Sequence, residues 1–165
     1  MNTRREVIQT LDQLIKEVSL IPEDKINIVP FAGSWTAGQL VRHLIKSYNV
    51  IQAIHGHVTP TEREPDMNYG EIAKIFLDFS TRFQSPDFIE PEVQAYDKTQ
   101  LLASLRQTLH DTENAIATLD LSMTCEDLEL PGANTKFTRL EWLYMMHCHT
   151  QRHVRQLKNI KQHLE

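Results

Sequence analysis

Thr138-Arg139-Leu140-Glu141-Trp142-Leu143-Tyr144-Met145-Met146-His147-Cys148-His149-Thr150-Gln151-Arg152-His153-Val154-Arg155-Gln156-Leu157 is the stretch whose reading decides the fold of this chain. At about 3.6 residues per turn, side chains four positions apart stand one above the other on a single helix face. His149 and His153 can therefore point at one common atom. Counted at about 100° per residue from Met146, the residues Trp142, His149, His153, Leu157, Ile160 and Leu164 all fall within roughly 60° of it. The pair faces the interior. An imidazole taken out of water needs a partner for each nitrogen, and a divalent metal ion is a partner that two inward histidines at this spacing can share. The spacing alone fits two core-edge histidines satisfied by hydrogen bonds more readily than a metal pair, because eight histidines in 165 residues make one such spacing unremarkable by chance.

The same stretch carries its own start signal. Thr138 followed by Glu141 is a capping box, and Phe137 and Trp142 occupy the two staple positions. Four earlier segments open with this grammar. Thr3 with Glu6 leads into Val7, Ile8, Leu11, Leu14, Ile15 and Val18 and stops near Leu20, before Pro22. Thr36 with Gln39, flanked by Trp35 and Leu40, starts a stripe through Leu40, Val41, Leu44, Tyr48, Ile51 and Ile54 that ends near His55-Gly56. Asn68 with Glu71, flanked by Met67 and Ile72, leads through Ile72, Ile75, Phe76, Phe79 and Phe83 to Ser85-Pro86, where the pre-proline restriction ends it. Asp97 with Gln100, flanked by Tyr96 and Leu101, continues through Leu102, Leu105, Leu109, Ala115, Ile116 and Leu119.

The pattern predicts five amphipathic helices, the last running to about Leu164, joined by connectors at 21–35, 56–67, 85–96 and 120–137. Connectors of that length are more than hairpins need, and such loops often carry function. The last connector is expected to hold short extended pieces around Leu128-Glu129-Leu130, before a Pro131-Gly132 turn. Five helices with one apolar stripe each imply an all-α fold, an up-and-down four-helix bundle with an accessory helix. At 165 residues the chain reads as one domain over 1–165.

Composition narrows the function classes. A formal charge of −5, with Lys and Arg scattered along the chain, gives no electrostatic footprint for nucleic acid. No window approaches a membrane span, and Met1-Asn2-Thr3-Arg4-Arg5-Glu6 lacks the apolar core of a secretory signal, so a cytoplasmic protein is expected. Cys125 and Cys148 belong to no CxxC or finger spacing and are expected to be free thiols.

A metal held by a helical pair needs a third protein ligand from another element. His43, His55, His57, His110, His147 and His163 are the candidates. His163 lies at a frayed end, His110 in a polar run, His55 and His57 beside a helix-ending glycine, and His147 about 100° off the pair's face. His43, at the edge of the second stripe beside Leu40, Ser47 and Ile54, is best placed to reach a helix seam.

The order of these features resembles one family. Gly33-Ser34-Trp35-Thr36 ahead of a helix bearing His43, then Leu130-Pro131-Gly132, then Thr138 opening a helix with His149-x-x-x-His153 and Gln156, is similar to the DinB-like family of bacterial metalloproteins over nearly the whole chain. The resemblance implies a four-helix bundle whose divalent metal is bound by one histidine of the second helix and two of the last: by position His43, His149 and His153. Zinc and nickel come first among the ions that imidazole suits. Three positions, 150, 154 and 155, depart from the family's usual pattern. Thr150 follows His149 where Glu is common, and Val154-Arg155-Gln156 follows His153 where Arg-Gly-Gln is common, which alters the shell around the ligands.

Members similar to this chain include thiol-dependent S-transferases and isomerases, and others described as hydrolases. The expectation is a metal-dependent enzyme that activates a low-molecular-weight thiol or water for a small-molecule substrate, against a stress-associated metal-binding bundle without turnover. Tyr48, Asp97, Glu141 and Tyr144 read more simply as core-edge, cap or surface residues than as catalytic groups. A homodimer is also expected, because relatives tend to dimerise and because Phe76, Phe79 and Phe83 give the third helix more aromatic surface than a solvent face carries.

Overall fold

The computed structural model describes residues 2–81 and 84–164. Its helices are α1 (Thr3–Ser19), α2 (Ala37–Ser47), α3 (Val50–Ala53), α4 (Tyr69–Phe76), α5 (Lys98–Thr118) and α6 (Arg139–Gln162). Two short strands, β1 (Val58–Thr59) and β2 (Thr124–Cys125), pair antiparallel with Val58 opposite Cys125. The fold is all-α: α1, α2, α5 and α6 pack on one another as a bundle, and α4 lies as the accessory helix on α6. No helix of the described residues is long and apolar enough to cross a membrane.

Both predicted capping boxes on the site-bearing helices close. Thr36 Oγ1 accepts the Gln39 amide at 3.1 Å while Gln39 Oε1 accepts the Thr36 amide at 3.0 Å. At α6, Thr138 Oγ1 accepts the Glu141 amide at 3.1 Å and Glu141 Oε2 accepts the Thr138 amide at 2.9 Å. Each box satisfies two amides that a helix start otherwise leaves orphaned, and so fixes where its helix begins.

α6 is the central element, buried without interruption from Glu141 to Thr150 because α1, α2 and α4 all pack against it. Val7, Leu11, Leu14 and Val18 of α1, Leu40, Val41 and Leu44 of α2, and Leu105 and Ala115 of α5 fill the interior around Met146, Leu157 and Ile160. Burying Glu141 needs compensation, since a carboxylate removed from water is costly unless paired. Arg63 forks onto it at 2.8 and 2.7 Å, and the Asn68 amide adds a third donor at 2.8 Å. This ion pair ties the 56–67 connector to the start of α6.

Several local expectations are corrected. The first helix is capped by Asn2, whose side chain accepts the Arg5 amide, while Thr3 turns inward to the Tyr69 hydroxyl at 2.5 Å. The second predicted helix breaks at Tyr48-Asn49 into α2 and α3; Ser47 Oγ bonds back to the Leu44 carbonyl, and Ser and Asn favour such local bonds over helix continuation. The third ends at Phe76 instead of reaching Pro86, because Asp78 accepts from the Ser80 amide at 3.0 Å and from Thr81 Oγ1 at 2.7 Å in a competing turn. The Arg152 guanidinium takes the freed carbonyls of Phe76, Asp78 and Thr81. Met67 is exposed and staples nothing, and Phe83 lies outside the described residues.

The extended pieces sit at 58–59 and 124–125 and not at Leu128–Leu130. A strand needs a ladder, and the 124–125 segment has one with β1, while the Cys125 amide also donates to the Phe137 carbonyl at 2.9 Å. The Pro131-Gly132 turn forms as expected: the Ala133 amide donates to the Leu130 carbonyl, and Gly132, at φ 85°, takes the left-handed position a side chain would strain.

Candidate metal centre

The seam between α2 and α6 brings three imidazoles together. His43 Nε2 lies 3.2 Å from His149 Nε2, which lies 3.0 Å from His153 Nε2. The cluster's ligand atoms all fall within 4.8 Å of one another, and the three residues are 3%, 8% and 8% exposed, respectively. His43 and His149 come together although 106 positions separate them. Their rings stand edge to face, as do those of His149 and His153.

The outward nitrogens decide the tautomers. His43 Nδ1 lies 3.0 Å from the Ile89 carbonyl, which can only accept, so Nδ1 carries the proton. His153 Nδ1 lies 2.9 Å from Gln156 Oε1 and donates in the same way. Both Nε2 atoms therefore present lone pairs toward His149. A neutral His149 brings at most one proton to that point and can satisfy only one of them. Three convergent nitrogen lone pairs are a donor set that hydrogen bonds alone leave incomplete and that a cation completes. A tetrahedral ion bonded at about 2.1 Å places its nitrogens roughly 3.4 Å apart, close to the 3.2 and 3.0 Å that separate His149 Nε2 from those of His43 and His153. The residues fit a divalent metal ion.

Electrostatics favour the same state. Burial pushes the His149 pKa well below its ordinary value, helped by the neighbouring His153 and His43. Burial lowers His153 to about 3 and also lowers His43. All three are neutral near pH 7, the form in which imidazole binds a metal. Trp35, ahead of α2, packs its ring 5.1 Å from that of His43, and Phe76, at the end of α4, lies edge-on 5.5 Å from His149.

The remaining histidines lie elsewhere. His55, His57, His110 and His163 are exposed, and His163 Nδ1 bonds the Asn159 carbonyl at 2.9 Å. His147 is buried on the α1 side, where Thr10 donates its hydroxyl to the Glu6 carbonyl and accepts from His147 Nδ1 at 2.8 Å. Tyr48 reaches the site's helix at Thr150, with the two hydroxyls 2.8 Å apart. Asp97 caps α5, while Glu141 and Tyr144 are buried inside, not on the surface. Sequence reasoning missed the Ile89 carbonyl, Ser85, whose Oγ is 3.2 Å from His43 Nδ1, and Arg63. A backbone acceptor leaves no trace in residue identity. Gln156 was visible three positions after His153, the spacing at which helical side chains meet.

A helical bundle with a buried three-histidine cluster between its second and last helices defines the class: a bundle able to hold a metal ion. The family model described as the DinB superfamily matches residues 4–157, which include all three histidines, and the chain belongs to that superfamily. No curated protein and no solved structure matches the chain.

Proposed function

We propose that this protein binds a divalent metal ion, zinc or nickel foremost, through His43, His149 and His153, and that it is an enzyme acting on a small molecule by activating a low-molecular-weight thiol for S-transfer or isomerisation, or water for hydrolysis. The observation that carries this reading is the convergence of three Nε2 atoms, two of them with the opposite nitrogen committed to a carbonyl acceptor. A divalent ion held there supplies Lewis acidity, the positive charge that lowers the pKa of a water or thiol it binds toward neutrality. The chain contributes three neutral donors, which leave that charge uncompensated, and aromatic walls at Trp35 and Phe76 that reduce access of bulk water.

Thiol activation is the preferred branch. Among the described residues, the cluster of potential ligand groups contains no carboxylate to act as a general base for water, whereas a thiol bound to such an ion ionises outright. The near-complete burial of the three histidines favours a second reading, a metal-binding bundle without turnover. The protein works, on this proposal, in the cytoplasm, where its two free cysteines stay reduced. It pairs there as a homodimer through the exposed Ile75 of the accessory helix and the exposed Phe79 in the turn that follows it.

The test is elemental analysis of purified wild type and His153→Ala, then melting with and without chelator, then thiol consumption against a panel of electrophiles. Metal in the wild type, its loss in the variant, and substrate-dependent thiol loss support the enzyme reading. Equal metal in both proteins removes the site. Collapse of the wild-type fold under chelator with no substrate consumed selects the quieter reading.

A further inference from the structure

The nitrogen of His43 that faces away from the cluster is held by a loop. His43 Nδ1 donates to the Ile89 carbonyl at 3.0 Å, with Ser85 Oγ 3.2 Å away, and both residues belong to the connector between α4 and α5. A carbonyl fixes a tautomer only as firmly as its own segment is fixed. Two clasps hold this one.

The first clasp is Glu92. Its carboxylate accepts from Arg42 Nε at 3.0 Å, from Arg42 Nη2 at 3.4 Å and from Lys46 Nζ at 3.2 Å. Lys46 Nζ also donates to the Glu90 carbonyl at 2.6 Å, and the Tyr96 hydroxyl donates to the Glu92 carbonyl at 2.8 Å. Arg42 and Lys46 stand one helical turn apart on α2, on either side of His43 in sequence. Hydrogen bonding from Arg42 holds the Glu92 carboxyl well below the usual carboxylate range. The second clasp lies at the far end of the connector, where Asn27 Oδ1 accepts the Tyr96 amide at 2.8 Å and Asn27 Nδ2 donates to the Tyr96 carbonyl at 2.9 Å.

We infer that Glu92 is a positioning residue for the metal centre: by gripping Arg42 and Lys46 it holds the Ile89 carbonyl against His43 Nδ1, which keeps His43 Nε2 unprotonated and aimed at His149. This rests on the metal reading above. The contrast of magnitudes makes it testable. Ion pairs this exposed, with the Glu92 side chain 44% accessible, contribute little to global stability. Losing the partner of a metal-binding histidine costs about 10–100-fold in metal affinity. The signature of Glu92 is therefore weakened metal binding in a protein whose fold is unchanged.

The experiment measures zinc affinity, by competition with a chromophoric chelator, for full-length wild type, Glu92→Ala and Glu90→Gln. Melting of each metal-free protein and the imidazole proton resonance of His43 Nδ1 complete it. Glu92→Ala weakens zinc binding by about tenfold, leaves the metal-free melting temperature within about 3 °C, and loses the His43 Nδ1 proton resonance. Glu90→Gln, which keeps its carbonyl, matches wild type in all three. Equal zinc affinity in wild type and Glu92→Ala overturns the positioning role while leaving the metal site standing. A loss of affinity that tracks a lower melting temperature, with the His43 resonance retained, also overturns it, because the residue is then merely structural. A wild type that takes up neither zinc nor nickel removes the metal reading itself, and this inference with it.

Discussion

His43 Nε2 and His149 Nε2 lie 3.2 Å apart at the seam of α2 and α6, and neither has a proton to spare for more than one neighbour. A metal that joins them would crosslink α2 to α6, two packed helices beside which the Tyr48 and Thr150 hydroxyls lie 2.8 Å apart. Replacing His43 by Ala removes one of three ligands and frees the 85–96 connector from the contacts that the Ile89 carbonyl and Ser85 Oγ make with His43 Nδ1. Zinc affinity is expected to fall by at least about 100-fold, since loss of an outer partner alone costs about 10–100-fold. Isothermal titration checks this, and unchanged affinity would assign the cation site elsewhere.

The ion pair between Arg63 and Glu141 is expected to be a stability determinant. Glu141 has a side chain with no exposure, and Arg63 is the cation in its shell. Removing one partner of a buried pair costs about 3–5 kcal/mol, because the other charge stays behind without compensation. Arg63 is 20% exposed, so water re-enters in part, and Arg63→Ala is placed near the lower end, about 3 kcal/mol. Urea unfolding at neutral pH reads this; a change below about 0.5 kcal/mol, the scale of a surface pair, contradicts it.

Residue order carried much of this architecture, and the reasons are specific. Thr36 with Gln39 and Thr138 with Glu141 are local codes, complete within four positions, and both boxes close as written. The histidine pair on α6 is equally local, since helix geometry alone stacks positions four apart. His43 was favoured by its place on a stripe edge, and only the packing of α2 on α6 brings it to the pair. The end of α4 was misjudged because its stripe through Phe79 continued in sequence while Asp78 and Arg152 satisfied the chain in another way. Arg63 and Ile89 were illegible for a deeper reason. One sits in an irregular connector far from Glu141 in sequence, and the other acts through its backbone.

Gly38 is expected to resist substitution. Its α2 position would ordinarily gain about 1 kcal/mol from alanine through helix propensity. A Cβ there meets Asn27 Oδ1 and the Tyr96 Cβ at 3.2 Å, and neither can retreat easily because Asn27 and Tyr96 are joined by two hydrogen bonds. Overpacking of this kind costs about 1–3 kcal/mol, so Gly38→Ala is expected to lower stability by about 1 kcal/mol net. It should weaken zinc binding as well, through the same connector that carries Ile89. A variant more stable than wild type in urea would show that the Asn27 clasp yields.

Acid should weaken the metal-free protein through its buried imidazoles, and the sign follows from their shifts. His153 is lowered to about 3, His149 well below its ordinary value, and His43 and His147 are lowered too, in each case chiefly by burial. The folded-state pKa lies below the unfolded value of about 6.5, so the unfolded chain binds more protons as pH falls. The stability these groups hold is fully present above about pH 6.5 and is lost as pH drops toward their folded-state values. Each imidazole contributes up to about 1.4 kcal/mol per pH unit in that window. Urea unfolding in chelator is therefore expected to show a steep fall between pH 6.5 and pH 5. His153→Gln should flatten the slope by one group's share, because glutamine has nothing to titrate. Saturating zinc should steepen it, since protons and the ion compete for the same lone pairs and the stability gained by binding disappears with them. A wild-type stability that is level across this range would mean that water reaches the imidazoles freely and that the cluster is not the dry, neutral donor set the geometry describes.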